Sequence, residues 1–257
     1  MIWGGWMIWL RSTVFNLWFY TATVVVAVLS ALVLPGPQSW ARGVAKFWAR
    51  IVLGPLRRLC GITVVISGRE HLPAHGPALI VSQHQSAFDT VVWLLLVPEA
   101  AYVLKQELSR IPFYGTLCHK MGMIPVDRQG GASAIRGLLR AADNAVALGR
   151  QIVIFPEGSR APPGAPLPLQ PGVAALAART GLPVIPGVTD SGLRWGRRTF
   201  RKDPGVIHLA IQPPLPARLP RAELMTRLTA LYAQGVTVDN SVGGAAFDFS
   251  RHPRKAT

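Results

Sequence analysis

The stretch PALIVSQHQSAFDT, residues 77–90, joins an unbroken apolar run to a polar turn and the start of a helical pattern. A run such as ALIV is typical of a strand that is buried on both faces of a parallel sheet. If Ser86 begins the helix, His84 lies at the carboxyl end of the strand and Asp89 in the first turn of the helix. The stretch therefore predicts a strand-to-helix turn at the edge of an α/β sheet.

His84 and Asp89 are five positions apart, which places them about 140° from each other on a regular helix, so they can meet only across such a turn. An aspartate bonded to one ring nitrogen sets the tautomer and leaves the other nitrogen free as a general base. The alternative is structural, with Ser86 as a helix cap and Asp89 as a first-turn acid. A serine nucleophile is not favoured, because the G-x-S-x-G pattern of α/β-hydrolases is absent.

The rest of the chain continues the alternation of short apolar runs and helical patterns. Helix composition covers residues 131–149 and 171–181, and a last amphipathic pattern covers about 221–235. This alternation predicts an α/β fold with a mixed, largely parallel sheet covered by helices. The apolar runs are GITVVISG (61–68), ALIVSQ (78–83), AAYVL (100–104), GMIPV (122–126), QIVIF (151–155), LPVIPGV (182–188) and VIHLAI (206–211).

The N-terminal part of the chain has the composition of a membrane segment. Residues 12–41 contain no charged side chain, and the apolar part, 14–35, is close to the ~20 residues that cross a bilayer core. The following stretch, 40–61, mixes basic with apolar residues and suits an anionic lipid surface. The alternative is a buried core helix. We therefore divide the chain into membrane-anchoring helices (1–60), a catalytic-sized domain (61–240) and a flexible tail (241–257).

The overall composition is both basic and apolar. Lys and Arg number 27 against 12 Asp and Glu, which gives a net charge of +15, and 50% of the residues are hydrophobic. This combination favours a lipid bilayer as partner over nucleic acid, and we expect no nucleic-acid partner. Cys60 and Cys118 lack metal-ligand spacing and are expected to be buried apolar residues, so no metal site is predicted.

Cations follow several of the predicted strands. Lys105, Arg128 and Arg160 each come at or just after a strand end. Ligands of open α/β sheets bind outside the carboxyl ends of the strands, so these cations are expected to converge with His84. Guanidinium groups match phosphate oxygens. The alternative is that each is an ordinary surface cation.

The chain contains four motifs: HQSAFD (84–89), GMIPVDR (122–128), FPEGSR (155–160) and VIPGV (184–188). In order and spacing they resemble the motifs of the glycerolipid acyltransferases related to bacterial 1-acylglycerol-3-phosphate acyltransferase. The resemblance covers about residues 66–215. It implies that His84 is the catalytic base and Asp89 its orienting partner. It also implies that the following residues bind the acceptor: Lys105, Arg128, Glu157, Gly158, Ser159 and Arg160.

The same resemblance implies a function. A fatty acyl group would pass from a thioester of acyl carrier protein or coenzyme A to the sn-2 hydroxyl of lysophosphatidic acid, giving phosphatidic acid, with no other cofactor. The protein would be located at the inner membrane of a bacterium, and the positive-inside rule places its catalytic domain in the cytoplasm. Rival hypotheses are acylation of another lysolipid, such as a lyso-ornithine lipid, and a non-catalytic membrane-binding protein, whose function His84→Ala would leave unchanged.

Overall fold

The computed structural model describes residues 4–165, 167–236 and 246–249. Within these residues seven strands form one sheet and seven α-helices pack around it. The strands are β1 Ile62–Ser67, β2 Ala78–Ser82, β3 Ala100–Lys105, β4 Ile124–Val126, β5 Gln151–Ile154, β6 Val184–Thr189 and β7 Gly205–Ile211. The helices are α1 Gly5–Leu29, α2 Gln38–Leu53, α3 Ala87–Leu96, α4 Tyr114–Lys120, α5 Gly131–Ala147, α6 Gly172–Thr180 and α7 Arg221–Gln234.

The sheet order is β1-β7-β6-β2-β5-β3-β4. All neighbouring pairs are parallel except β6 and β7, so β1 and β7 run opposite to the other five strands. The predicted mixed, largely parallel sheet is therefore confirmed. Because β6, β2, β5, β3 and β4 run the same way, their carboxyl ends share one edge of the sheet.

Helices cover both faces of the sheet, and β2 is its central, fully buried strand. Ile80 points into a core that it shares with residues of α1 to α4. Leu79 and Val81 point to the opposite core, which is formed with α5, α6 and α7. The strand is apolar at every position before Ser82 because neither face meets solvent.

The two N-terminal helices pack on the first of these faces. One side of α1 is buried through Ser12, Phe15 and Asn16, and the Phe15 ring meets the edge of Trp195 at 5.1 Å between centroids. The opposite side is apolar and exposed; the exposed fractions of Trp6 and Leu17 are both 69%. With the turn that follows it, α1 spans residues 5–33, which by length and composition is enough to cross a membrane.

The C-terminal part of the chain is described only in part. The predicted tail, 241–257, lies outside the described residues except for 246–249. In this short segment the Phe247 N–H donates to the Val64 carbonyl of β1 at 2.8 Å, and Phe249 is buried.

Candidate active site

His84 and Asp89 meet across the turn between β2 and α3. His84 Nδ1 lies 3.2 Å from Asp89 Oδ2. Both side chains are largely withdrawn from solvent, with exposed fractions of 12% and 2%. An ionised carboxylate only accepts hydrogen bonds, so Nδ1 carries the proton and Nε2 is left as the basic nitrogen.

The Asp89 carboxylate is held from several directions. Its Oδ2 accepts the backbone N–H groups of Gln85 at 2.6 Å and Ser86 at 2.7 Å, while Oδ1 accepts the Ser191 hydroxyl at 2.7 Å. The Ser86 hydroxyl accepts the Phe88 N–H, so Ser86 and Asp89 together form a capping box at the start of α3. These bonds give the carboxylate one orientation, which points Oδ2 at the His84 ring.

The loop after β5 supports His84 from the other side. The imidazole stacks on the Phe155 ring at 4.4 Å between centroids. The His84 carbonyl accepts the Ala161 N–H at 2.7 Å, and the His84 N–H donates to Glu157 Oε2 at 2.7 Å. Ring and backbone of His84 are thus both held by the segment 155–161.

Glu157 is buried beneath the site. Its exposed fraction is 3%, and its Oε1 has no hydrogen-bond partner among the described residues. Burial raises the pKa of this carboxyl to about 7, the His84 N–H opposes the rise, and the charge of Asp89 adds to it. The resemblance implied that Glu157 lines the acceptor site; in the structure its carboxylate accepts the His84 N–H, and Glu157 is not one of the residues that line the cavity described next.

The remaining predicted site residues all line one cavity of about 390 Å³ that also contains His84. Lys105 ends β3, and its ammonium lies 2.8 Å from a Glu107 carboxylate oxygen. The Arg128 guanidinium donates to the Gly158 carbonyl. Gly158 has a φ of +69°, which disfavours any larger residue there. The cavity-lining residues of this cationic end are Lys105, Arg128, Gly158, Ser159 and Arg160.

The other end of the cavity is apolar and lies between the two pairs of helices α1/α2 and α3/α4. Val26 and Ala45 come from the N-terminal helices, while Leu94 and Leu117 come from α3 and α4. A volume of this size is within the range of small-molecule sites. The cavity therefore joins a basic nitrogen, a group of cations and an apolar chamber in one continuous space.

The sequence did not single out Phe155, Ala161 or Ser191 as parts of this site. Phe155 reads as the last apolar residue of a strand, and Ala161 contributes only its backbone. Ser191 could have been found, since it follows Thr189 at the end of β6 and so shares the sheet edge with His84.

Comparisons with known proteins agree with this architecture. The sequence model of the Acyltransferase family matches residues 63–190. The 1-acyl-sn-glycerol-3-phosphate acyltransferase of Pseudomonas aeruginosa is 31% identical over 210 residues, which cover 81% of each chain. The 1-acyl-sn-glycerol-3-phosphate acyltransferase alpha of Mus musculus is 28% identical over 205 residues, 78% of this chain and 71% of its own.

A solved structure shares the fold. The crystal structure of the 1-acyl-sn-glycerophosphate (LPA) acyltransferase PlsC from Thermotoga maritima matches with a TM-score of 0.69 and 23% identity, covering 88% of this chain and 95% of that one. The matched family model and the relatives define an O-acyltransferase. Within that class, the chain belongs to the family of 1-acyl-sn-glycerol-3-phosphate acyltransferases.

Proposed function

We propose that this protein transfers a fatty acyl group from an acyl thioester to the sn-2 hydroxyl of lysophosphatidic acid, which gives phosphatidic acid. The observation that carries the proposal is one cavity that is lined by His84, by cations and by apolar side chains, with Asp89 in contact with the His84 ring. The curated relatives support the same substrate through their names.

His84 is the general base in this proposal. As the acceptor oxygen attacks the thioester carbonyl, Nε2 removes the hydroxyl proton, and the carboxylate of Asp89 stabilises the imidazolium that forms. Collapse of the tetrahedral intermediate breaks the carbon–sulfur bond. The thiolate leaves with the proton that His84 returns. The acceptor itself supplies the nucleophile, so the enzyme needs no serine and forms no acyl-enzyme.

The cations at the cavity mouth position the acceptor. Arg128 and Lys105 hold its phosphate, with Arg160 nearby, so that the neighbouring hydroxyl reaches His84. A phosphate-bearing acceptor suits this group of cations better than a lysolipid without phosphate. The apolar chamber receives the fatty chain of the donor, whose carbonyl then lies beside His84.

The exposed sides of α1 and α2 support a proposal of membrane association. Trp40 and Phe47 of α2 are 56% and 55% exposed, and α1 also has exposed apolar side chains. Amphipathic aromatic residues prefer the headgroup level of a bilayer. We propose that these helices contact the inner membrane of a bacterium, with the catalytic domain on the cytoplasmic side.

The test is an acylation assay of the purified chain in detergent, with lysophosphatidic acid and a radiolabelled acyl thioester. We expect His84→Ala to lower turnover by about 10²- to 10⁴-fold, the usual contribution of a general base. Asp89→Asn should lower it as well, because a neutral amide does not stabilise the imidazolium that forms on His84. His75→Ala, an exposed histidine, serves as the matched control.

Equal turnover by wild type and His84→Ala would contradict the mechanism and favour a non-catalytic protein. A lyso-ornithine lipid, tested beside lysophosphatidic acid, separates the two acceptors. Faster acylation of the lyso-ornithine lipid, which has no phosphate, would contradict the proposal that the cations bind the phosphate of the acceptor.

A further inference from the structure

A strongly basic loop that the proposed chemistry does not use lies beside the cavity. Residues 194–204, RWGRRTFRKDP, follow β6 and the short turn Ser191–Leu193; we call them the arginine loop. Arg197, Arg198 and Arg201 are exposed on its surface. The single acid of the loop, Asp203, pairs with Arg201.

The arginine loop is held rigidly against α1. Buried Lys202 donates from its ammonium to the carbonyls of Thr199 and Phe200 at 2.9 and 2.8 Å. The Asn16 amide also donates to the Phe200 carbonyl at 2.8 Å, and the Ser12 hydroxyl accepts the Lys202 N–H at 2.9 Å. The exposed arginines are therefore carried on an ordered platform, which lowers the entropic cost of binding a partner.

The loop is joined to the rim of the active-site cavity. Arg197 Nη1 donates to the carbonyl of Arg160 at 3.2 Å, and the Gly192 N–H donates to Gln85 Oε1 at 3.1 Å. Burial lowers the pKa of the Arg160 guanidinium, the charge of Asp89 opposes this effect, and the charges of Arg197 and Arg198 lower it further. The positive charge of the loop thus reaches the side chain that borders His84.

The sheet order places these cations across His84 from the acceptor cations. His84 follows β2, while Lys105 and Arg128 follow β3 and β4 on one side of that strand. The arginine loop follows β6 on the other side. Two groups of cations therefore flank the base, and the proposed phosphate of the acceptor occupies only one of them.

We propose that the arginine loop is the docking surface for an acidic carrier protein that delivers the acyl thioester. The proposal rests on the function proposed above. The thioester has to arrive at the cavity mouth beside His84, which is where the loop presents its charge. Arg197 and Arg198 are outside the cavity lining, so they suit the face of a protein better than a small molecule.

The composition and exposure of the surface agree with a transient protein partner. Leu193 and Phe200, at 53% and 47% exposure, accompany the arginines, and interfaces are enriched in arginine and aromatic residues. A donor carrier must dock and leave in every turnover. Exposed charges accelerate association without forming a tight complex, and their effect is screened by salt.

The test compares Arg197→Ala/Arg198→Ala with the control Arg136→Ala/Arg140→Ala. The control removes the same charge from exposed positions of α5, on the opposite face of the sheet. Each variant is assayed with two donors that carry the same fatty chain, one on an acidic acyl carrier protein and the other on coenzyme A. For the carrier-bound donor we expect Arg197→Ala/Arg198→Ala, the loop variant, to have a KM about tenfold above that of wild type at low salt. The KM of the loop variant should also depend much less on salt than the KM of wild type does. Its KM for the coenzyme A donor and for lysophosphatidic acid should match that of the control.

Direct binding of fluorescently labelled acyl carrier protein gives a readout that does not depend on turnover. Wild type and control should bind it in a salt-sensitive manner, and the loop variant about tenfold more weakly. An equal rise in KM for both donors would overturn the proposal, because it would indicate that the loop binds the phosphopantetheine arm that the two donors share. Weaker binding to phosphatidylglycerol vesicles with an unchanged donor KM would overturn it in favour of the bilayer. Salt-sensitive binding without acyl transfer by wild type would support the docking surface and contradict the proposed function instead.

Discussion

At the scale of the single residue, Asp89 shows that the two interpretations of residues 77–90 are compatible. Its Oδ2 accepts the Ser86 N–H, as a first-turn acid of a capped helix does, and the same oxygen faces His84 Nδ1. The capping bonds set the position of the carboxylate, and that position makes the contact with the imidazole possible. A structural role here provides the geometry that the proposed base requires.

Glu157 supplies a prediction about pH at the same scale. Burial raises the pKa of its carboxyl from 4.5 to about 7. Between these pH values the folded chain keeps a proton that the unfolded chain has lost, so the free energy of unfolding falls as the pH rises. A rise of this size corresponds to a total loss of about 3 kcal/mol.

Glutamine keeps an oxygen that accepts the His84 N–H and does not ionise. We therefore expect Glu157→Gln to match wild type at pH 5 and to exceed its free energy of unfolding by about 3 kcal/mol at pH 8. Denaturant unfolding at a series of pH values measures this, with Glu223→Gln, an exposed helix residue, as the control. Parallel pH profiles for wild type and Glu157→Gln would show that Glu157 does not titrate in this range.

At the scale of the element, a variant at the start of α3 distinguishes the role of helix capping from the role of catalysis. Ser86→Ala removes the bond from the Phe88 N–H to the hydroxyl and should cost about 1 kcal/mol of stability. Asp89 keeps its bonds to the Gln85 and Ser86 backbone N–H groups. Turnover should therefore stay near the wild-type value, while denaturant unfolding shows the loss of stability.

The control for this variant is Ser133→Ala, which removes a hydroxyl from the start of α5 that donates to the Gly130 carbonyl. A loss of turnover with Ser86→Ala as large as that of His84→Ala would contradict the acceptor-as-nucleophile mechanism. It would instead indicate that Ser86 carries the acyl group.

The elements were predictable from the sequence where burial makes the pattern strong. Each apolar run from residue 61 onward contains a strand. The pattern is clearest in β2, where all five positions are buried and solvent reaches neither face. The contacts within the candidate active site were harder to predict from the sequence. Ser191 is 102 positions from Asp89, and only the strand order brings its hydroxyl to the carboxylate. Glu157 was recognised by its motif, but a motif does not say which way a side chain points.

At the scale of the whole molecule, the N-terminal helices do more than the sequence predicted. The apolar run of residues 14–35 indicated a membrane segment, and composition cannot show which side of such a helix faces protein. The structure places Thr23 and Val26 of α1, together with Ala45 and Trp48 of α2, in the wall of the active-site cavity. Donor binding and membrane contact are therefore expected to depend on opposite sides of the same two helices.

Enlarging one buried wall residue tests this arrangement. Ala45 is buried and lines the apolar chamber, so Ala45→Leu should shorten the space for a fatty chain. We expect the ratio of kcat/KM for a long-chain donor over a short-chain donor to fall by at least about 10- to 200-fold, the usual effect of one methylene in an apolar pocket. Binding to lipid vesicles should not change, because the exposed side of α2 is untouched.

The control adds the same side chain on the outside of the same helix. Gly43 is exposed, and the space into which a side chain would project from it is open, so Gly43→Leu increases apolar bulk without entering the cavity. It should leave the donor ratio at the wild-type value and bind vesicles at least as well. Overpacking can cost stability, but that cost lowers the rate with both donors alike, so it cannot change their ratio. An unchanged ratio in Ala45→Leu would therefore mean that the fatty chain lies elsewhere and that α2 serves the membrane alone.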